Sequence, residues 1–577
     1  MLRNLLLCLT IIMFVTSSSS FSGIFYVPND TTSIQGGIHL SGNGDTVLVS
    51  DGTYYENINF KGKAITVASL FIMDGDTNHI NNTIIDGSQP SHPDSGSVVR
   101  FVSGEDTTSV LCGFTIIGGT GDKIHVPALG QYIIQGGGIN LFESSGKIIN
   151  NKISNNIIYS NQYSVCGGGI SAGTAEPQNE YVYIGNNIIN SNSITGPYAE
   201  GGGIYVSWIN TQYIIENNKI NYNIVTALSS WMARGGGILS EHVLPSNGDM
   251  IIRNNIIKGN ELHGVRSFGG GIHVFYWEYS PVVDQQPNPI IFNNIITDNY
   301  SSYLGGGLTV WRFNPNTILP SPGAGITAQP SIINNTVVNN SAQHGYGIFI
   351  MNSVPFFMNN IMWNTPLSAG GGEIFLGNFS GGGTVWNNLY GDIEMYHSDI
   401  RDTAWVDSTK GIFNADPLFA DTINYELSDS SPCIGAGIDS IEIGGIWYTV
   451  PTTCYLGHPR PSPPGSNPDI GACESSLAVS GLERRSDNIS RTFQLYQNYP
   501  NPFNPSTTII FDLQKKSKVS LKIFNIIGKE VTTLVADKLS AGSYSYDWDA
   551  GHLASGVYLY RLEAEGFVQT HKMILIR

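Results

Sequence analysis

The chain has 577 residues, a formal net charge of −17 and only 13% charged residues. That length admits several domains, or one long array of repeats. An acidic chain without clustered Lys and Arg excludes a nucleic-acid partner, whose phosphates demand clustered cations.

Residues 1–22 read as a secretory signal peptide. Arg3 is the positive flank, Leu5 to Val15 the apolar run and Ser17 to Ser22 the small-residue cleavage zone. The run is too short to span a bilayer, and no later stretch approaches the ~20 apolar residues of a membrane helix. No transmembrane segment is therefore expected. Removing the signal removes Cys8 and leaves Cys112, Cys166, Cys433, Cys454 and Cys473. Export permits disulfides, and an odd count leaves at least one thiol unpaired within the chain. The closeness of Cys433, Cys454 and Cys473 predicts one local bridge without fixing the pair. No CxxC spacing is present, so no metal site or cofactor is expected. Ca²⁺ would need several convergent carboxylates, which the repeats do not supply.

Residues 23–394 read as a stack of coils behind an N-terminal cap. Thr32 to Leu40 predicts a short amphipathic helical turn with Ile34, Ile38 and Leu40 on one side. Alternating strands then begin with Asp45 to Tyr54. From Gly136 a Gly-Gly-Gly-aliphatic motif returns at Gly167, Gly201, Gly235, Gly269 and Gly305, and as Gly-Tyr-Gly-Ile at Gly345. A fixed period of this kind means stacked supersecondary units. Between the glycines lies Asn-Asn-x-aliphatic-x-x-Asn, starting at Asn150, Asn186, Asn217, Asn254, Asn293 and Asn334, with degenerate copies at Asn359 and Asn387. Its last Asn forms the column Asn156, Asn192, Asn223, Asn260, Asn299 and Asn340. Stacked in register, such amides form a hydrogen-bonded ladder. Short strands, turns and no helical periodicity predict an all-β parallel β-helix.

The strand after each glycine triplet can be read face by face. Counting the first Gly as zero, positions three and five point inward: Ile139 and Leu141, Ile204 and Val206, Ile272 and Val274. Positions four and six point outward. Near that outward side fall Tyr205, Trp208, Phe275, Tyr276, Trp277 and Trp311, a candidate ligand-binding patch for sugar faces. Exposed aromatics are costly unless used, and burial under the following loops is the competing expectation. Glu241, His242, His273 and Arg312 are the catalytic candidates, with Glu278 a second carboxylate near Glu241. Glu200 and Arg234 precede glycines in adjacent coils and predict a surface ion pair.

Residues 395–475 lose the repeat and gain Pro and Cys, which predicts a final coil and a C-terminal cap. Residues 476–492 read as a linker. Residues 493–577 carry six strand patterns separated by turn residues, an Ig-like β-sandwich. This segment resembles the type A sorting domain of the type IX secretion system. The motifs are Leu495-Tyr-Gln-Asn-Tyr-Pro-Asn-Pro-Phe-Asn-Pro, Ile523-Phe-Asn-Ile-Ile-Gly-Lys-Glu-Val, Leu539-Ser-Ala-Gly-Ser-Tyr, Leu553-Ala-Ser-Gly-Val-Tyr and the terminal Lys572-Met-Ile-Leu-Ile-Arg577. The resemblance implies Sec export, then passage through the type IX secretion machinery to the surface or the medium. The coils resemble the pectin-lyase-like superfamily of right-handed β-helices, which holds lyases, hydrolases and non-catalytic adhesins. Fold alone does not choose among these. The leading expectation is a surface or secreted protein that binds polysaccharide or mediates adhesion. The alternatives are a polysaccharide lyase or glycoside hydrolase on the same face, and a structural protein with no ligand.

Overall fold

The computed structural model describes residues 22–576 apart from 127–129, 174–180, 208–211, 229–231, 245–249, 279–288, 314–329, 365–371, 378–392, 463–465, 476–481, 487–491, 540 and 551–552. The expected signal peptide and the degenerate motif at Asn387 lie outside the described residues.

The N-terminal turn is a helix, Ile34–Leu40, whose first turn is capped by the Ser33 side chain accepting from Gly36 N–H. Ile34 and Ile38 are fully buried and close the end of the core, while Leu40 turns to solvent.

One coil shows how the chain is used. Tyr181–Gly185 belongs to sheet I, Ile188–Asn190 to sheet II, Ser193–Gly196 to sheet III, Ala199–Glu200 to sheet IV and Ile204–Ser207 to sheet V. The next coil repeats each strand in parallel register, so Ile204 pairs with Ile238 and Ile189 with Ile220. Among the described residues sheets I, II and V hold 12, 11 and 10 strands, and this length makes the fold a parallel β-helix. The inward residues of these three sheets form one continuous core from Val27 to Ile412. Sheets III and IV form an arm off that prism, with its own core of Ile158, Val165, Ile194, Ala199, Val225, Ala233 and Leu262.

The glycines form the neck of the arm. Gly201 takes φ +69°, and a Cβ on Gly203 would stand 2.6 Å from the Gly237 carbonyl oxygen and 2.7 Å from Ile220 Cγ2. Opposite them runs the asparagine column. Asn156 Nδ2 donates to Asn192 Oδ1 at 2.9 Å, and the pattern repeats through Asn223, Asn260, Asn299 and Asn340 at 2.9–3.0 Å. It continues to Asn364 and ends on the Glu373 carboxylate. The second Asn of each motif builds another ladder, Asn151–Asn187–Asn218–Asn255–Asn294–Asn335–Asn360. The first Asn turns the corner between sheets I and II with a left-handed backbone, φ 52–57° from Asn150 to Asn359.

The segment after the last coil does more than close the end. Trp405 and Ile412 seal the core. Residues beyond them run back along the outside: Tyr425, Leu427, Cys433 and Ile470 cover Ile256, Ile295, Val338 and Ile361 of sheet II. The hairpin Ser440–Ile443 and Ile446–Thr449 covers Phe356 and Met358 of sheet I. Arg460 pairs with Glu474 at 2.9 Å inside this flap, and its guanidinium also donates to Asn293 Oδ1. The expected local disulfide is not formed. Cys433, Cys454 and Cys473 are free and buried, as are Cys112 and Cys166. Cys433 instead faces Asp399 and Cys473 the Asn424 carbonyl.

The six C-terminal strand patterns become six strands from Ser506–Leu513 to Phe567–Leu575 in two antiparallel sheets. They enclose a core that includes Ile509, Phe511, Leu521, Ile523, Trp548 and Tyr560. Within the span read as linker, Leu482–Ser486 is a strand that pairs with Gly542–Asp549 of the sandwich.

Candidate functional site

The outward face of sheet V is not open. Sheet IV lies against it, so a second buried layer forms between the two. Cys166, Phe268 and Leu304 come from sheet IV or its extension, and Tyr205, Leu239, Phe275, Trp311, Phe349 and Met351 from sheet V. Trp311 packs edge-on against Phe275 with ring centroids 4.8 Å apart, and lies 5.1 Å from Phe268. This overturns the exposed aromatic patch: Tyr205, Phe275 and Trp311 are buried. The physical reason is the arm. Each coil folds its own sheet IV strand over the outward side chains of its sheet V strand, and apolar surface is removed from water.

Tyr276, His242 and Arg312 are corrected in a different way. They sit at position seven, which the alternation of side chains sends inward. The strands Ile238–Leu244, Ile272–Glu278 and Leu308–Phe313 are long enough to carry that alternation past position six. His242, Tyr276 and Arg312 are register partners on three successive coils. The His242 ring stacks on Tyr276 at 5.0 Å, and its Nε2 lies 2.6 Å from Ser240 Oγ. Burial pushes the His242 pKa down to about 3, so the ring is a neutral core group. Trp208 lies outside the described residues, as do the side chains of Trp277 and Glu278.

The charged residues meet at the polar end of the same buried layer. Arg234 Nε donates to Glu200 Oε1 at 2.9 Å, and Arg234 Nη2 reaches both Glu200 and Glu241, the latter at 3.2 Å. The second Glu241 oxygen accepts from Tyr205 at 2.7 Å and Ser207 at 3.2 Å. The Arg234 guanidinium also sits 4.3 Å from the Phe275 ring centroid. Glu200 and Arg234 thus form a buried network, not the surface pair that their spacing suggested. Burial disfavours the Arg234 charge, but the two carboxylates outweigh it and raise its pKa. His273 lies in the same layer, with Nδ1 3.1 Å from the Phe268 carbonyl. Burial, then the Arg234 charge, hold it well below the usual histidine range. A fixed cation between two carboxylates can lock the arm onto the prism; it leaves Glu241 no open bond to attack.

The described coils therefore define a β-solenoid in which Glu200, Arg234 and Glu241 are spent on one another inside the layer between sheets IV and V. Residues 497–576 match the family model for the secretion system C-terminal sorting domain. The protein is thus a type IX secretion cargo, delivered to the extracellular space or the outer-membrane surface. No helix among the described residues is long and apolar enough to cross a membrane. No curated protein and no solved structure matches the chain.

The second asparagine ladder went unread in the sequence, although its signal was there: every good motif copy carries Asn at its second place. Asn364 was missed because the copy at Asn359 is one residue shorter before its last Asn.

Proposed function

We propose that this protein is an exported, non-catalytic β-helix that binds polysaccharide, or adheres to another surface, through the outside of its coils. The observation that carries the reading is the burial of Glu241, His242, His273 and Arg312. A lyase needs an accessible base, and a hydrolase needs two carboxylates facing one bond about 5–9 Å apart. Glu241 is committed to Arg234, Tyr205 and Ser207. Binding without turnover asks for none of these groups. We take residues 1–22 as the Sec signal that precedes type IX passage, and the coils as right-handed and pectin-lyase-like.

The test is a panel of plant and algal polysaccharides incubated with the mature protein. Unsaturated-uronate absorbance and reducing ends report turnover, and affinity electrophoresis reports binding. Retardation without product is expected. Product from any substrate refutes the non-catalytic reading, and retardation by none refutes the binding reading in favour of a purely structural surface protein.

A further inference from the structure

On one side of the β-helix the exterior is neither covered by the flap nor folded under the arm. The flap buries Ile256 and Ile295 of sheet II, but Ile188, two coils before Ile256 in that register row, is 42% exposed. Below it, sheets II and III present bare outer faces across three coils. Their register rows alternate. Lys152, Ile188 and Lys219 are partners in sheet II, and Ile157, Ser193 and Ile224 in sheet III. The first and third coils each carry one lysine, one exposed isoleucine and one exposed tyrosine. Tyr159 is 65% exposed and Tyr222 55%, with Ile157 at 58% and Ile224 at 39%. Tyr222 sits at the corner between the two sheets, its ring lying where a Cβ on Gly259 would stand 2.6 Å from it. The coil between offers Ile188, Ser193 and Thr195 instead. Neither lysine has an ion-pair partner among the described residues, and both stand out on a chain of net charge −17.

We propose that this face binds an extended anionic polysaccharide laid along the β-helix axis, with one acidic group per disaccharide. The recurring Lys–Ile pair, Lys152 with Ile157 and Lys219 with Ile224, is spaced by two coils, about 9.6 Å at the parallel strand spacing, with Tyr159 in the sheet III strand of the first coil and Tyr222 at the corner of the third. That is the scale of one disaccharide in a fully extended β-1,4-linked glycan. Each tyrosine offers a ring face to a sugar, and each lysine meets the acid group of successive repeats. Charge complementarity selects a glycan over a second copy of this acidic chain. The inference rests on the binding reading above and assigns it a surface and a ligand class.

The experiment is affinity electrophoresis of the full mature protein in gels containing carboxymethylcellulose of about one carboxylate per disaccharide. Hydroxyethylcellulose is the neutral probe of the same backbone. The variants are Lys152→Gln with Lys219→Gln, Tyr159→Ala, Tyr222→Asn, and Tyr55→Ala as an exposed aromatic elsewhere. Unchanged urea midpoints confirm that each folds. The lysine pair should lose about tenfold in affinity for carboxymethylcellulose, with a flatter salt dependence. Both sheet-face tyrosine variants should weaken binding, and Tyr55→Ala should not. Retardation that survives all of these changes overturns the proposed surface while the binding reading stands. So does binding of other panel glycans but not of carboxymethylcellulose. If the parent binds no polysaccharide in any gel, the binding reading falls and the surface with it. Concentration-dependent dimers lost in Tyr159→Ala, without glycan binding, assign the face to a second copy and overturn the proposal.

Discussion

Asn223 is the sharpest test of what holds the coils in register. It is fully buried at the middle of its ladder. Its Oδ1 accepts from the Asn192 backbone N–H at 3.1 Å and from Asn192 Nδ2 at 3.0 Å. Its Nδ2 donates to the Ile189 carbonyl at 3.0 Å and to Asn260 Oδ1 at 2.9 Å. Asn223→Ala deletes all four. At a net of about 1 kcal/mol each this is about 4 kcal/mol, and the stranded Asn192 N–H adds roughly 1–3 kcal/mol. The expected loss is about 5 kcal/mol or more, at the far end of single substitutions. Urea denaturation of the mature chain reads it as a lower midpoint. Asn190, on the outer side of sheet II, is the control: Asn190→Ala should change stability by less than about 0.5 kcal/mol. If Asn223→Ala falls within about 1 kcal/mol of the parent, or matches Asn190→Ala, the ladder does not stabilise the stack.

Asn217 holds φ 57° at a corner; Asn217→Ala should cost about 1 kcal/mol in urea midpoints, and Asn217→Gly clearly less. Trp311→Ala opens the layer between sheets IV and V and should cost about 3–5 kcal/mol, read by thermal unfolding. Arg234→Met leaves Glu200 and Glu241 buried without their cation and should cost about 3–5 kcal/mol at pH 8, with a smaller loss at pH 5, because burial already raises the Glu200 pKa above the ordinary carboxyl value. Burial pushes Glu373 up to about 7 from the ordinary 4.5, so the folded chain holds that proton more tightly than the unfolded one. The Glu373 contribution is therefore most favourable below about pH 4.5 and declines as pH rises through about 7, by about 3 kcal/mol in total. The stability difference between parent and Glu373→Gln should move by that amount towards the variant from pH 4 to pH 8, and a flat difference would contradict the assignment.

Much of the stack was legible because the repeat itself supplies a coordinate system. Positions three and five after each first glycine, such as Ile204 with Val206 and Ile272 with Val274, lie in the main core, with Ser240 the one buried polar residue among them. The Asn156 to Asn340 column is hydrogen-bonded along its length. The asparagines were readable because register turns one repeated residue into a column, and a buried amide column must satisfy itself. What covers the outside was not readable. From Ser164 onward the sheet IV strands are only two or three residues long, as in Ala199–Glu200 and Met232–Arg234. That is too short for a period of two to register. The flap that buries Ile295 comes from residues more than a hundred positions later, and no local pattern announces such a return.

The misplaced candidates follow from the same gap. Alternation says which way a side chain leaves its strand, and it placed Tyr205, Phe275 and Trp311 correctly on the outward side. It does not say what waits there. In this chain the arm waits, and its strands bring Glu200 and Arg234 down onto Glu241. For His242, Tyr276 and Arg312 the parity alone was sufficient: an odd offset from the glycine points inward for as long as the strand continues. The glycine triplet therefore does two things at once. It lets the chain double back tightly enough for sheet IV to lie over sheet V, and it leaves room for the asparagine ladder on the other side of the neck. On the binding reading proposed above, the arrangement moves the candidate ligand surface from the strand that the glycines introduce to the faces that the arm and flap leave bare.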